Sequence, residues 1–278
     1  MRNLILIILV LTIAIYSVKA DQTRQAVEFY SPQKGVYIVD IDTNECKNCI
    51  SPYVSDSLET VESVAIKTGA IAAINAGFFD PLNTKTTSYI IKDGELAADP
   101  TLNPDLMNNP TLQDYLPQIL NRSEFRIMDC FISLDIAQHN SMPPSQCNIL
   151  HSIQAGPQLV PTLLLEQESF VVKNDNKIIR EAVSALHKRP RSAIGITLEN
   201  HVLLVAVSKE NPMTLKELAE FMQDDLKVKQ ALALDGGGST SLYVDLPGQD
   251  KFVLNSEEDG SARRVKSVFL VNPRTEYP

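Results

Sequence analysis

Residues 231–240 read ALALDGGGST: four apolar residues, one carboxylate and three consecutive glycines precede two hydroxyl residues. The apolar run predicts a short buried strand that ends at Leu234. Ordering three adjacent glycines is entropically costly, and such a run lets a ligand approach the backbone or exposes successive N–H groups to an anion. The sequence therefore predicts a ligand site in this turn. Its members are Asp235, Gly236, Gly237, Gly238, Ser239 and Thr240.

Known glycine motifs do not account for this turn. A nucleotide-binding P-loop is excluded because no Lys follows the glycines. A nucleophile elbow is excluded because Ser241 stands where its final glycine is required. The simpler alternative is a tight turn with a solvated Asp235. Three glycines between apolar strands favour the ligand site.

A second segment resembles the first in its organisation. Residues 56–59 (DSLE) have capping-box spacing, a helical apolar period follows, and Gly69 is a good helix stop. A short apolar strand over 70–74 then ends at Asn75 and a glycine turn. Ligands in α/β architectures collect at the carboxyl ends of strands. If the two strands are neighbours in one sheet, Asn75 and Asp235 point into one cleft.

The remaining pattern predicts an α+β fold: a single domain with a mixed, strongly twisted β-sheet and flanking helices. Strands are expected over 36–41, 125–136, 241–246 and 265–271, and a hairpin turns at Glu199 and Asn200. Residues 214–217 (TLKE) form a second capping box, which predicts a helix before the glycine turn. Residues 99–123 are polar and read as an irregular, partly helical excursion.

The N-terminus has the features of a secretory signal peptide. Arg2 precedes a Leu/Ile-rich run over 4–16, and residues 18–20 (VKA) suit cleavage after Ala20. The alternative is a retained membrane anchor, but the apolar run is short for a span. We therefore expect a secreted or periplasmic protein of residues 21–278 with no membrane span after cleavage. The formal net charge of −9 argues against a nucleic-acid partner.

Four cysteines lie beyond the predicted signal peptide, and an even count in an exported chain predicts disulfides. Three pairings are possible, and the most local one joins Cys46 to Cys49 and Cys130 to Cys147. A four-cysteine zinc site is disfavoured because the second pair lacks knuckle spacing. A thioredoxin-like redox site is also disfavoured, since residues 43–49 read as a surface turn.

Metal ligands are not expected elsewhere, because His139, His151, His187 and His201 are scattered without HExxH spacing. We predict no metal and no cofactor. The basic stretch 187–191 includes Arg191, which adjoins an apolar strand and is therefore expected to be partly buried. A guanidinium suits phosphate or carboxylate, whereas a solvated basic turn is the alternative. The same two alternatives, an anion-binding guanidinium or a solvated basic turn, apply to Arg263 near the C-terminus.

These motifs together resemble the phosphodiester glycosidase family over roughly residues 65–271. The resemblance rests on four segments in order: 75–80 (NAGFFD), 154–157 (QAGP), 189–195 (RPRSAIG) and 234–239 (LDGGGS). Residues 214–219 and 263–267 are similar to the family's helix and C-terminal stretch. The chain departs from the family at Ala76, where glycine is usual, and at Arg264 and Ser267.

The resemblance implies hydrolysis of a sugar-1-phosphodiester at the anomeric carbon. It implies that Arg191 and the glycine amides hold phosphate, and that Asp235 acts as base or stabilises the sugar cation. The other residues that it implicates are listed by role. Asn75 and Ser239 would orient sugar or phosphate oxygens; Phe79 would form an apolar wall or belong to the core; Asp80 would be the second carboxylate, with Glu28 and Asp93 behind it; Gly77, Gly156, Thr240 and Arg263 would contact substrate. The alternative is a non-catalytic sugar-phosphate or glycan-binding envelope protein on the same fold.

Overall fold

The computed structural model describes residues 26–46, 48–130 and 134–273. The predicted signal peptide lies outside these described residues. Among them, no helix has the length and apolar character needed to cross a membrane.

Most of the regular structure is β-strand. The strands are β1 Val27–Gln33, β2 Val36–Asp42, β3 Ile50–Glu59, β4 Ala72–Asn75, β5 Ile90–Lys92, β6 Glu95–Ala98, β7 Ser123–Met128, β8 Leu134–Gln138, β9 Ile149–Gln154, β10 Gln158–Val160, β11 Val171–Asn174, β12 Lys177–Glu181, β13 Arg191–Thr197, β14 His201–Val207, β15 Val228–Ala233, β16 Ser241–Val244, β17 Phe252–Asn255 and β18 Val265–Val271. The helices are α1 Val61–Thr68, α2 Pro104–Met107, α3 Leu116–Leu120 and α4 Leu215–Glu220, and single helical turns occur at Pro100–Leu102, Gln113–Tyr115, Phe221–Asp225 and Gly237–Ser239.

The strands form four sheets rather than the single mixed sheet expected from the sequence. The largest has the order β1-β2-β14-β13-β15-β10, and two five-stranded sheets have the orders β17-β16-β4-β18-β3 and β6-β5-β9-β7-β8. A separate hairpin joins β11 and β12. Every strand pair in the described ranges is antiparallel. The short helix–strand units suggested parallel pairing, but their strands belong to different sheets.

The central strands of the six-stranded sheet are buried on both faces, which explains their unbroken apolar sequences. Ile194 and Ile196 of β13 pack into a large core shared with the two five-stranded sheets. Ala193, immediately before Ile194, points to the opposite core, which α4 covers through Leu215 and Leu218. The six-stranded sheet is thus sandwiched, and its strand ends lie between packed layers.

The two predicted helix starts have different outcomes. Thr214 forms the expected capping box with Glu217 at the start of α4. The capping-box prediction at residues 56–59 is wrong, because these residues continue β3, which pairs with β18. Helix α1 instead begins after Thr60, whose side chain accepts the Ser63 N–H. It ends at Gly69, as predicted, with a left-handed φ of 72°.

The predicted long strand over 125–136 is also wrong. The segment contains the end of β7 and the start of β8, which pair antiparallel with each other. Asp129, just after β7, accepts hydrogen bonds from the backbone and side-chain N–H groups of Asn148. The chain therefore reverses direction between β7 and β8 and does not continue as one strand. The predicted hairpin at residues 199–200 is confirmed by β13 and β14.

Both predicted disulfides are present. Cys46 pairs with Cys49 and Cys130 with Cys147, with Cα–Cα distances of 5.4 and 5.2 Å. The second bridge lies beside the β7–β8 connection and closes the longer loop. No other cysteine occurs in the chain.

The longer bridge should contribute more to stability than the shorter one. A disulfide lowers the conformational entropy of the unfolded chain, and a longer closed loop gives a larger effect. Cys130→Ser/Cys147→Ser should therefore lower the free energy of unfolding by about 3 kcal/mol. Cys46→Ser/Cys49→Ser should cost clearly less. Urea unfolding of both double variants measures this, and alkylation of the denatured, unreduced wild type should find no free thiol. Four free thiols, or equal losses, would contradict the assignment.

Candidate active site

The ends of β4 and β15 meet between two sheets. The two strands are not neighbours in one sheet, because β4 belongs to a five-stranded sheet and β15 to the six-stranded one. The two ends are nevertheless in contact: the Asp235 N–H donates to the Ala76 carbonyl at 2.9 Å, and Asn75 Nδ2 donates to the Asp235 carbonyl. The expected convergence of Asn75 and Asp235 is therefore present by a different route.

The side chain of Asn75 is fully buried and joins three chain segments. Its Oδ1 accepts from Ser192 Oγ at 2.7 Å and from the Ser241 N–H at 3.0 Å. Its Nδ2 donates to the Asp235 carbonyl. Both ends of the amide are thus engaged within the protein, which is an arrangement for positioning the backbone of Asp235.

The residues after Asn75 fit closely against neighbouring strands. Ala76, which replaces the usual family glycine, does not have a positive φ, so its side chain causes no backbone strain. The Gly77 N–H donates to Ser267 Oγ at 3.0 Å. A Cβ on Gly77 would lie 3.0 Å from the Gln154 carbonyl oxygen and from Ser88. Gly77 is therefore required by close packing, and Ser267 supplies its hydrogen-bond acceptor.

Burial raises the pKa of the Asp235 carboxyl from 3.8 to about 6. A hydrogen bond from Ser239, the charge of Arg263 and the Gly236 N–H oppose this effect. Desolvation prevails over these three favourable contributions. The carboxyl therefore changes its protonation state near neutral pH, which is where a catalytic base or acid is useful.

The glycine turn borders an open cavity of about 740 Å³. Gly237 has a left-handed φ of +61° and its N–H donates to the Pro190 carbonyl. The Ser239 N–H donates to the Gly236 carbonyl, and the Thr240 N–H donates to the Gly237 carbonyl. The cavity is lined by residues from four segments: Lys188, Arg189, Pro190, Lys209, Pro212, Gly237, Gly238, Ser256, Glu257, Glu258, Asp259 and Ser261.

Arg191 is buried, but its guanidinium is largely committed to the protein itself. Nε donates to the Met213 carbonyl, Nη1 to Val183, and Nη2 to Ser184 and His187. Four of its five N–H groups thus bind backbone carbonyls. Desolvation lowers its pKa to about 10, so it stays charged at neutral pH. The arrangement fixes the loop before β13 rather than presenting a free fork.

The three predicted second carboxylates lie away from this turn. Asp80 caps its own turn, with Oδ1 accepting the Leu82 N–H at 2.8 Å. Glu28 is exposed on β1, an edge strand that three strands separate from β15. Asp93 is exposed in the β5–β6 turn. None of them contacts Asp235 within the described residues.

Phe79 packs against the cluster around α1, which agrees with the core alternative. Its neighbour Phe78 instead lies beside Phe170, with ring centroids 5.9 Å apart. The Arg122 guanidinium covers Phe170 at 3.8 Å and approaches Phe78 at 5.7 Å. Phe79 therefore belongs to the core around α1, and Phe78 to an aromatic cluster with Phe170 and Arg122.

Glu168, which no sequence motif indicates, is buried and packs against Gly156. Its Oε1 accepts from Ser123 Oγ at 2.7 Å and from the Gln158 N–H, while Oε2 has no partner in the described chain. Burial raises its pKa. A Cβ on Gly156, whose φ is +107°, would collide with Oε2. Gly156 is thus fixed by packing and backbone conformation, not by an open ligand contact.

A family model for phosphodiester glycosidases matches residues 68–272. This chain belongs to the phosphodiester glycosidase family. The match covers Asn75, Gly156, Arg191, Asp235 and Arg263, so the members of the site lie within the phosphodiester glycosidase domain. A search of curated protein sequences found no significant match.

Solved structures share the phosphodiester glycosidase fold at low sequence identity. The catalytic domain of zebrafish N-acetylglucosamine-1-phosphodiester alpha-N-acetylglucosaminidase, auto-inhibited by its pro-peptide, matches with a TM-score of 0.63 and 16% identity over 89% of this chain and 82% of that one. A putative exported protein from Burkholderia pseudomallei matches with a TM-score of 0.61 and 16% identity, over 86% of this chain and 74% of that one. A hypothetical protein from Synechocystis matches with a TM-score of 0.54 and 18% identity, over 88% of this chain and 61% of that one.

The raised pKa of Asp235 predicts a specific pH dependence of stability. Between about pH 4 and pH 6 the folded protein retains this proton while the unfolded chain has lost it, so protonation stabilises the fold as pH falls through this range. Asp235→Asn cannot titrate. The free energy of unfolding of wild type relative to the variant should therefore rise as pH falls from 6 to 4. Urea titrations across this range measure it, and a constant or opposite difference would contradict the burial effect.

The hydrogen bonds of Arg191 predict that it is required for folding stability. Arg191→Ala should lower the free energy of unfolding by about 3 kcal/mol, because it leaves buried carbonyls without donors. Arg189→Ala, in the exposed neighbouring residue, should change it by less than about 0.5 kcal/mol. Denaturant unfolding compares the two. Equal effects would show that Arg191 is not the anchor of this loop.

Proposed function

We propose that the protein is an exported glycoside hydrolase that cleaves the anomeric bond of a sugar-1-phosphodiester. The products are the free sugar and a phosphomonoester, and a phosphorylated glycan is the expected substrate class. The observation that carries the proposal is the partly buried Asp235 at the start of the glycine turn, whose desolvated carboxyl has a raised pKa, in a member of the phosphodiester glycosidase family.

The chemistry suits a site with one well-placed carboxylate and a source of positive charge. The leaving group is a phosphate monoester, which is a weak base and needs little protonation as it leaves. The C1–O bond breaks with its electron pair going to the phosphate oxygen, and a water oxygen adds to C1. Asp235 takes the proton of that water, or stabilises the sugar cation as it forms.

The proposed residue roles are supported by the contacts described above. The Gly238 N–H and the Arg263 guanidinium are assigned to the phosphate, and Ser239 orients the Asp235 carboxyl. Asn75 is assigned a positioning role, because its amide is engaged within the protein. Arg191 is assigned the same kind of role for the loop before β13. Gly236, Gly237 and Thr240 shape the turn.

Export is part of this proposal. The two disulfides favour an oxidising compartment, and the predicted signal peptide supplies the route. The similar Burkholderia structure is described as an exported protein, which is consistent with the same location.

Removal of the Asp235 charge tests the assignment. Asp235→Asn should lower kcat on a sugar-1-phosphodiester at least about a hundredfold, as the loss of a catalytic group typically does. Asp250→Asn, which removes an exposed carboxylate between β16 and β17, is the matched control and should retain activity. Product release is followed on a panel of sugar-1-phosphodiesters that includes chromogenic aryl esters. Full activity of Asp235→Asn on any substrate that wild type cleaves would refute the role.

The second candidate is a sugar-phosphate-binding protein without turnover. It is favoured by one observation: Asp80, Glu28 and Asp93 all lie away from the glycine turn. Calorimetry with a sugar-1-phosphate, run beside the product assay, separates the two. Binding without any product across the panel supports the binder, and turnover excludes it.

A further inference from the structure

The glycine turn is covered on one side by a glutamate of the same chain. The Glu257 carboxyl carbon and both its oxygens lie 2.8 Å from the position that a Cβ would take on Gly238. Gly238 does not have a positive φ, so its conformation is open to other residues. The Glu257 carboxylate occupies the space that a side chain at this position would take.

The same carboxylate is paired with Arg263. Arg263 Nε lies 3.5 Å from Glu257 Oε1, and the two side chains are 39% and 33% exposed. Arg263 also lies close enough to Asp235 for its charge to favour the ionised carboxyl. One guanidinium therefore serves Glu257 on the cavity side and Asp235 at the base of the turn.

Two hydrogen-bond donors on the wall of the cavity have no acceptor among the described residues. The Gly238 N–H donates to no other described residue. Ser256 lines the same cavity, is 6% exposed, and its buried hydroxyl has no partner in the described chain. Buried polar groups are normally satisfied, so an unpaired hydroxyl at a cavity wall indicates a site for a polar ligand.

We propose that Glu257 occupies the phosphate subsite of the ligand-free protein and must leave when a phosphate binds. The proposal rests on the proposed function, because it identifies the subsite by the phosphate of the substrate. A phosphate beside Gly238 and Arg263 meets the Glu257 carboxylate at contact distance, and two anions there repel each other. Arg189 and Lys209 line the same cavity and offer the displaced carboxylate other cationic partners.

Removing this charge should strengthen phosphate binding. Isothermal titration of the full mature protein with inorganic phosphate, and with a sugar-1-phosphate, compares wild type, Glu257→Gln and Glu258→Gln. Glu257→Gln should tighten both affinities about tenfold, the effect of losing a like charge at a partly solvated contact. Glu258 is the matched control, because it lines the same cavity and is exposed, and it does not pack on the turn. Its variant should change affinity less than about threefold.

Three outcomes would overturn the proposal. Equal increases in phosphate affinity in the two variants would show that the effect comes from the net charge and not from the position of Glu257. Weaker phosphate binding by Glu257→Gln would show that Glu257 orients Arg263 for the ligand. A loss of turnover at unchanged phosphate affinity would make Glu257 a catalytic carboxylate instead. The affinity measurement does not depend on turnover. If Glu257→Gln binds phosphate more tightly but neither wild type nor any variant hydrolyses the substrate, the proposed function is refuted and this inference stands.

Discussion

The site depends on the buried amide of Asn75. This one side chain accepts from β13 and from the start of β16, and donates to the carbonyl of Asp235. It therefore fixes the separation and register of two sheets that share no strand pairing at this point. An amide has both an acceptor and two donors, and a carboxylate or an aliphatic side chain cannot make the same three contacts.

The carboxyl of Asp235 acquires its properties from this junction. The backbone contacts to Ala76 and Asn75 place the residue between packed layers, where desolvation raises its pKa to about 6. Ser239 and Arg263 limit the rise, so the group remains able to ionise near neutral pH. A position open to water would leave the carboxyl strongly acidic and weakly basic. Burial by the fold and compensation by neighbours together set the working range.

Local signals in the sequence predicted local structure well. Gly69 ends a helix, Thr214 begins one, and the turn at residues 199–200 joins two strands, because each depends on side chains a few residues apart. The β3 strand was mistaken for a helix start because its pairing with β18 is remote in sequence. The family motifs placed Asp235 and Asn75 together, although the two strands belong to different sheets.

Long-range contacts explain what the sequence did not reveal about the site. Arg191 is buried as expected, but the carbonyls that hold it come from a loop whose course has no sequence signature. Glu257 approaches Gly238, and Glu168 approaches Gly156, from separate segments of the chain. A glycine can be required by a neighbouring carboxylate as well as by a ligand, and only the packed structure distinguishes the two.

The central claim is that the site breaks the bond between the anomeric carbon and oxygen, and not a bond to phosphorus. Hydrolysis of a sugar-1-phosphodiester in water enriched in oxygen-18, followed by mass spectrometry of both products, tests this directly. Attack at C1 predicts that the label enters the sugar and that the phosphomonoester remains unlabelled. Label in the phosphomonoester would show phosphorus–oxygen cleavage and contradict the account.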